Sequence, residues 1–317
     1  MTKSNLYNIT FTAFFVLLVF FLSLNISPFY VEGDQFHYRA VYRELPELGL
    51  IEGFIYYSTA LSSLEVVHFI LSWIASRVIE KDFFIAISNA ILAYATIRLF
   101  IKWNVSLLIA ALFILTNFYW LVFYFAAERL KFAVIFFLLS MVSIDNVKTY
   151  CALSVVTLIS HVQFVLIYAA IMFQYAAKKM LRLIRTGLIS KYFILIILLP
   201  FIPVLIIQEQ LISKFNAYYV SHDFLELFKV LVFFGLSLWY SSKRFETISV
   251  FIPIIVATYL VGGDRVNFFG YFVFLYYALP VNRGFNIGIL ATSIYYMTAS
   301  FSFMENIFVY GNGFPSN

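Results

Sequence analysis

The sequence is poor in charge, in proline and in cysteine. Only 12% of its 317 residues are Asp, Glu, Lys or Arg, and no hydrophilic stretch is long enough to fold as a separate soluble domain. The single cysteine, Cys151, excludes an intrachain disulfide and a cysteine-built metal site. No Gly-rich phosphate loop, HExxH, GxSxG or DxD-type acidic pair occurs. Glu32 and Asp34 come nearest to a metal site, and two carboxylates on a loop do not make one. No metal and no cofactor is therefore expected. Alternating polar and apolar segments, the mark of a membrane β-barrel, are absent, as are internal repeats and low-complexity tracts.

What the chain has is apolar surface. It is 63% hydrophobic and 21% aromatic, with a mean hydropathy of +0.93. A helix needs about 20 apolar residues to cross the hydrocarbon core. Clear candidates are 8–27, 83–101, 105–125, 150–175, 192–208, 247–261, 266–281 and 286–303; 54–79, 130–144 and 226–240 are shorter or more polar. The expected fold is an all-α polytopic membrane protein with about 10–11 transmembrane helices. It forms a single integral membrane domain over 1–317, with 28–52 as an external loop carrying juxtamembrane helices. The first run, up to Ile26, is too long for a signal h-region and reads as a retained signal-anchor helix. Pro200 and Pro203 should kink or break the run that holds them.

The net charge of +5 fits basic loops facing the cytoplasm and anionic lipid, not nucleic acid. If all eleven candidates span with the N-terminus inside, inner loops hold 13 Lys and Arg and outer loops 7, with Lys229 in a span. This places 28–52 and Arg265 outside and the basic 178–191 loop inside. Segment 54–79 carries Ser58, Thr59, Ser62, Ser63, Glu65 and His68. It reads either as a span or as a pair of surface helices, and Arg129 is expected to face outward.

Charges kept in such a chain need a partner, a cavity or an interface. In Gly33-Asp34-Gln-Phe-His37-Tyr38-Arg39, Tyr38 and Tyr42 would share a helical face, with Asp34 one turn earlier. Asp34 suits a helix cap or a base that takes a proton from a hydroxyl. Glu65 and His68, three apart, read as a mutually bonded pair. Arg129, between Glu128 and Lys131, stands at a helix start where the dipole favours anions. An anionic partner explains it, either Glu128 or a phosphate. His161 lies mid-run in 150–175, and Arg265 follows Gly262-Gly263-Asp264 before an aromatic helix.

Taken in order, these pieces resemble the EpsG family of bacterial exopolysaccharide proteins and the related Wzy-type O-antigen polymerases. Over about 30–280, the likeness rests on G-D-x-x-x-Y-x-x-x-Y at Gly33–Tyr42, E-x-G-[FY] near Glu52, an Arg before an Ala-containing helix at Arg129–Ala133, His161, and Arg265–Tyr271. E-G-F stands here for E-P-G-Y, and Val162-Gln163 follow His161 where a small residue is common.

The resemblance implies a GT-C-like inner-membrane glycosyltransferase that joins undecaprenyl-diphosphate-linked oligosaccharide repeat units on the periplasmic side. Its partners would be that substrate, membrane lipids and a chain-length regulator protein. In this reading Arg129 and Arg265 stabilise the leaving diphosphate, with Lys131 a third cation. Asp34 and His161 orient or deprotonate the acceptor hydroxyl, and Tyr38, Tyr42, Asp264 and Tyr271 bind substrate. Asp34, Arg129, His161 and Arg265 should then converge on one cavity at the outer leaflet. The alternatives are an O-antigen ligase on the same donors, or a non-enzymatic lipid-linked-oligosaccharide flippase or transporter. An acyltransferase fits less well, because His161 has no acidic partner nearby in sequence.

Overall fold

The structure, a computed structural model, describes residues 3–187 and 224–314; the side chains of 3–5, 224–226, Asp264 and Arg265 lie outside the described set. Among the described residues it is all-helical, with no strand. The helices are α1 (Lys3–Ile26), α2 (Asp34–Glu44), α3 (Leu50–Leu61), α4 (Val66–Ala75), α5 (Lys81–Lys102), α6 (Leu107–Thr116) and α7 (Phe118–Phe125). They continue with α8 (Glu128–Val142), α9 (Val147–Ser160), α10 (Phe164–Thr186), α11 (Phe224–Tyr240), α12 (Arg244–Val261), α13 (Gly263–Ala278) and α14 (Ile287–Tyr310).

Among the described residues, five helical segments are long and apolar enough to cross a membrane, and two bent pairs raise this to seven if each is one span. Large apolar side chains face outward, among them Phe14, Phe21 and Ile55. The protein is a polytopic helical membrane protein. The run at 192–208, with its two prolines, lies outside the described residues.

Three of the apolar runs are broken, each at a polar residue, and 54–79 takes the form of the helix pair that its sequence leaves open beside a single span. Segment 54–79 becomes α3 and α4, bent by 117°. Ser62 ends α3 in the left-handed region at φ 47°. Segment 105–125 becomes α6 and α7, bent by 53°, where the Asn117 side chain caps α7 by accepting from the Tyr119 N–H at 3.1 Å. Segment 150–175 ends α9 at Ser160, and His161 turns extended (φ −159°, ψ 124°) before α10 starts. His161 is therefore a helix-terminal residue and not a mid-helix one. The α10 helix then continues to Thr186, so the basic stretch expected as a loop is helical up to Gly187. Lys and Arg in its last turns complement the C-terminal end of the dipole.

The chain forms two compact units, one of residues 1–161 and 290–317, the other of 162–289. In the first, α1, α6, α7 and α8 pack on α5, and α9 packs on α8. Small residues of α5, Ala86, Ala90, Ala93 and Ala95, are buried and let neighbours approach closely. Gly33 is fixed by geometry: its φ is 59°, and an added Cβ would stand 2.8 Å from Asn312 Oδ1. Gly53 lets α3 rest on Trp73, 3.1 Å from where a Cβ would be. In the second unit α10 packs on α12, and α11, α12 and α13 pack together. Its core is apolar and aromatic, built on Phe233, Phe251, Phe269, Tyr271 and Phe274.

Candidate functional site

The first unit buries two carboxylates, and each gathers cations. Glu128 opens α8 and is 1% exposed. Its Oε1 accepts from Lys81 Nζ at 2.6 Å and lies 3.1 Å from His68 Nε2. Its Oε2 accepts from Gln35 at 3.3 Å. His68 Nδ1 in turn meets the Tyr57 hydroxyl at 2.8 Å. A buried carboxylate is tolerated only when its lone pairs are satisfied in this way.

Glu65 is the second. It sits at the break between α3 and α4, 7% exposed. Its Oε2 accepts from Ser63 Oγ at 2.5 Å and pairs with Arg129 Nη1 at 3.0 Å. Its Oε1 is 3.2 Å from His161 Nε2. Three chain interruptions thus meet at one carboxylate: the α3–α4 break, the α7–α8 junction before Arg129 and the α9–α10 break at His161. Irregular backbone in a membrane protein is tolerated where it is buried in protein or lines a cavity.

Two expectations about pairing are corrected. Arg129 does have an anionic partner, but it is Glu65. Successive helical side chains point about 100° apart, so Glu128 turns the other way, to Lys81 and His68. Glu65 and His68 are not bonded to each other either; each reaches across to another helix.

Arg129 is fixed on two sides. Its Nε donates to the Tyr38 hydroxyl at 3.1 Å and its Nη1 faces Glu65. Its side chain remains 28% exposed, and Nη2 makes no hydrogen bond among the described residues. Burial, outweighing the adjoining guanidinium, pushes the Tyr38 phenol above its ordinary range, so Tyr38 stays neutral.

The other expected site residues fall as follows. Asp34 begins α2, but Gly33 holds the cap position with no side-chain cap bond, so Asp34 does not cap. It is exposed, makes no hydrogen bond or ion pair among the described residues, and its charge reaches Tyr38. Tyr38 and Tyr42 do share a face of α2, but the buried one. The Tyr42 hydroxyl donates to the Ile79 carbonyl at 3.0 Å and its ring stacks on Phe84, so neither tyrosine presents an open ring face. Lys131 is fully buried and donates to Asn89 Oδ1 at 2.7 Å, enclosed away from any headgroup. Tyr271 is buried in the second unit against Phe233 and Phe274. The side chains of Asp264 and Arg265 lie outside the described residues. Of the four residues expected to converge, Arg129 and His161 meet through Glu65.

Glu65, Glu128, Lys81 and Gln35 were missed as site residues by sequence reasoning. The one legible signal was the polar run Ser62-Ser63-Leu64-Glu65 inside an apolar segment, which marks the break that holds Glu65. Among the described residues no three His, Cys, Asp or Glu side chains gather to hold a metal ion. Comparison with protein families, with curated proteins and with solved structures finds no match to the chain. The fold and its apolar helices define the class: a multi-pass, all-helical membrane protein.

Proposed function

We propose that the protein is a polysaccharide polymerase of the bacterial inner membrane, a glycosyltransferase acting on undecaprenyl-diphosphate-linked oligosaccharides. The observation that carries this reading is the Arg129–Glu65–His161 cluster at three chain interruptions. Transfer from a lipid diphosphate needs a base for the acceptor hydroxyl and a cation for the departing diphosphate. His161, oriented by Glu65, is the base. Arg129, held by Glu65 and Tyr38, offers its Nη2 to an anionic oxygen, and a guanidinium pre-set in this way needs no reorganisation. Sequence context alone, two glycines before it at the head of α13, makes Arg265 a further candidate for a phosphate-binding cation in this reading. The anomeric carbon bonds to the acceptor oxygen, the bond to the diphosphate oxygen breaks, and the hydroxyl proton passes to His161.

Purified protein in liposomes with undecaprenyl-diphosphate oligosaccharide should lengthen glycans on a gel. Arg265→Ala and Glu65→Gln variants, present at wild-type level, should leave single repeats. Lengthening undiminished in both variants would sink the assignment. The same cluster favours a second reading, a transporter of the lipid-linked oligosaccharide, because broken helices and an intramembrane acid–histidine pair also serve proton-coupled movement. That reading requires movement of labelled lipid-linked sugar between leaflets with no change in glycan length.

A further inference from the structure

A second site lies apart from Glu65 and independent of the proposed reaction: a cleft of about 500 Å³ walled by α2, the 76–80 turn and the start of α5. Four cations line it, Arg39, Arg43, Arg77 and Lys81. Two are already neutralised, Arg39 by Asp82 at 2.5 Å and Lys81 by Glu128 at 2.6 Å. The other two have no carboxylate. Arg43 is exposed and makes no hydrogen bond or ion pair among the described residues. Arg77 donates to the carbonyls of Trp73 and Leu48, and its guanidinium lies over the Trp73 ring, 3.7 Å from the centroid. Carbonyl bonds and an aromatic face fix a guanidinium without cancelling its charge. Glu80 is the one carboxylate among the lining residues.

The rim says what kind of anion fits. Val78, in the cleft wall, is 76% exposed, and Ile74, one turn before it, is 53% exposed. Trp73 beside them is the residue type that settles at the membrane–water interface. A free anion has no use for an apolar rim, whereas an amphiphile with an anionic head uses both. The geometry points to a binding site for the phosphate headgroup of an anionic phospholipid, with Arg43 and Arg77 on the phosphate and the acyl chains over Ile74 and Val78.

Native mass spectrometry of the purified full chain in detergent, with phosphatidylglycerol or phosphatidylcholine added, tests this. Wild type should hold phosphatidylglycerol in preference. Arg43→Ala should lower that adduct roughly fivefold and Arg43→Ala/Arg77→Ala roughly 25-fold, following the contribution of each basic residue near an anionic headgroup. The phosphatidylcholine adduct should stay unchanged. Arg43 makes no bond to lose, so the single variant should fold and is decisive by itself. An undiminished phosphatidylglycerol adduct in Arg43→Ala overturns the site. Retention of inorganic phosphate with no preference between the two lipids overturns the lipid as its source.

Discussion

Glu128 and Glu65 are both buried carboxylates in the same unit, and they differ in what holds them. Around Glu128 the donors are closed in: Lys81 is 9% exposed and His68 3% by side chain, and they come from α5 and α4, with Gln35 from α2. Around Glu65 the cation is half open, because Arg129 keeps 28% of its side chain exposed and one nitrogen uncommitted. The partners of both carboxylates stand at helix ends, Lys81, Gln35 and His68 in first turns and Arg129 and His161 beside the α8 start and the α9 end, so exposure and not helix position separates the two. A closed carboxylate ties elements together. One whose cation opens outward leaves that cation accessible, which is what the proposed function asks of it.

The largest effect expected from this contrast is on folding. Glu128→Ala leaves Lys81 and His68 buried without their anion, which typically costs about 3–5 kcal/mol. Thermal unfolding in detergent should show a large loss, and Glu128→Gln a smaller one, since its amide oxygen still accepts. An unfolding midpoint at wild type for Glu128→Ala would erase the distinction between the two clusters. Glu65→Gln should show the reverse pattern. The fold persists with a modest shift, while the proposed glycosyl transfer slows by about 100-fold, or about 3 kcal/mol. A variant that unfolds as badly as Glu128→Ala would make Glu65 a second staple.

How much of this was readable from the sequence follows from distance along the chain. Composition and run length were enough for an all-helical polytopic protein, because burying backbone polar groups in lipid leaves few other solutions. The requirement that Arg129 have an anion was also legible, from its place at a helix start. Which anion was not, because Glu65 lies 64 positions earlier and reaches Arg129 only once α3 and α4 fold back at Ser62–Glu65. The acidic partner of His161 was hidden for the same reason: Glu65 is remote in sequence and adjacent in space. The tyrosines misled differently. Their i,i+4 spacing showed a shared face, but spacing is silent on whether that face looks to solvent or to α5.

Tyr38 sharpens the comparison at smaller scale. Its hydroxyl accepts from Arg129 Nε, so Tyr38→Phe removes one of two groups that aim the guanidinium. A hydrogen bond to a charged group contributes about 1.5–3 kcal/mol. The unfolding midpoint should fall modestly, well short of the Glu128→Ala loss, and the proposed transfer should slow roughly tenfold. Equal rates for Tyr38→Phe and wild type would show that Glu65 alone orients Arg129.

The smallest effect belongs to the second unit, where the ion pairs among the described residues gather at Glu246. It lies 2.8 Å from Lys178, whose side chain is 42% exposed, and 3.9 Å from Lys243; Gln174 Nε2 also donates to it at 3.3 Å. Three features make Lys178 dispensable. Its ammonium is solvated, so little desolvation was spent in forming the pair. The carboxylate keeps two other partners when Lys178 is lost. The core beneath rests on Phe251, Phe269 and Phe274, with no charge to strand. Exposed pairs contribute about 0–1 kcal/mol, so Lys178→Ala should shift the unfolding midpoint by at most a small fraction of the Glu128→Ala shift and leave the transfer rate at wild type. A loss as large as that of Glu128→Ala would mean that burial is not what separates these ion pairs.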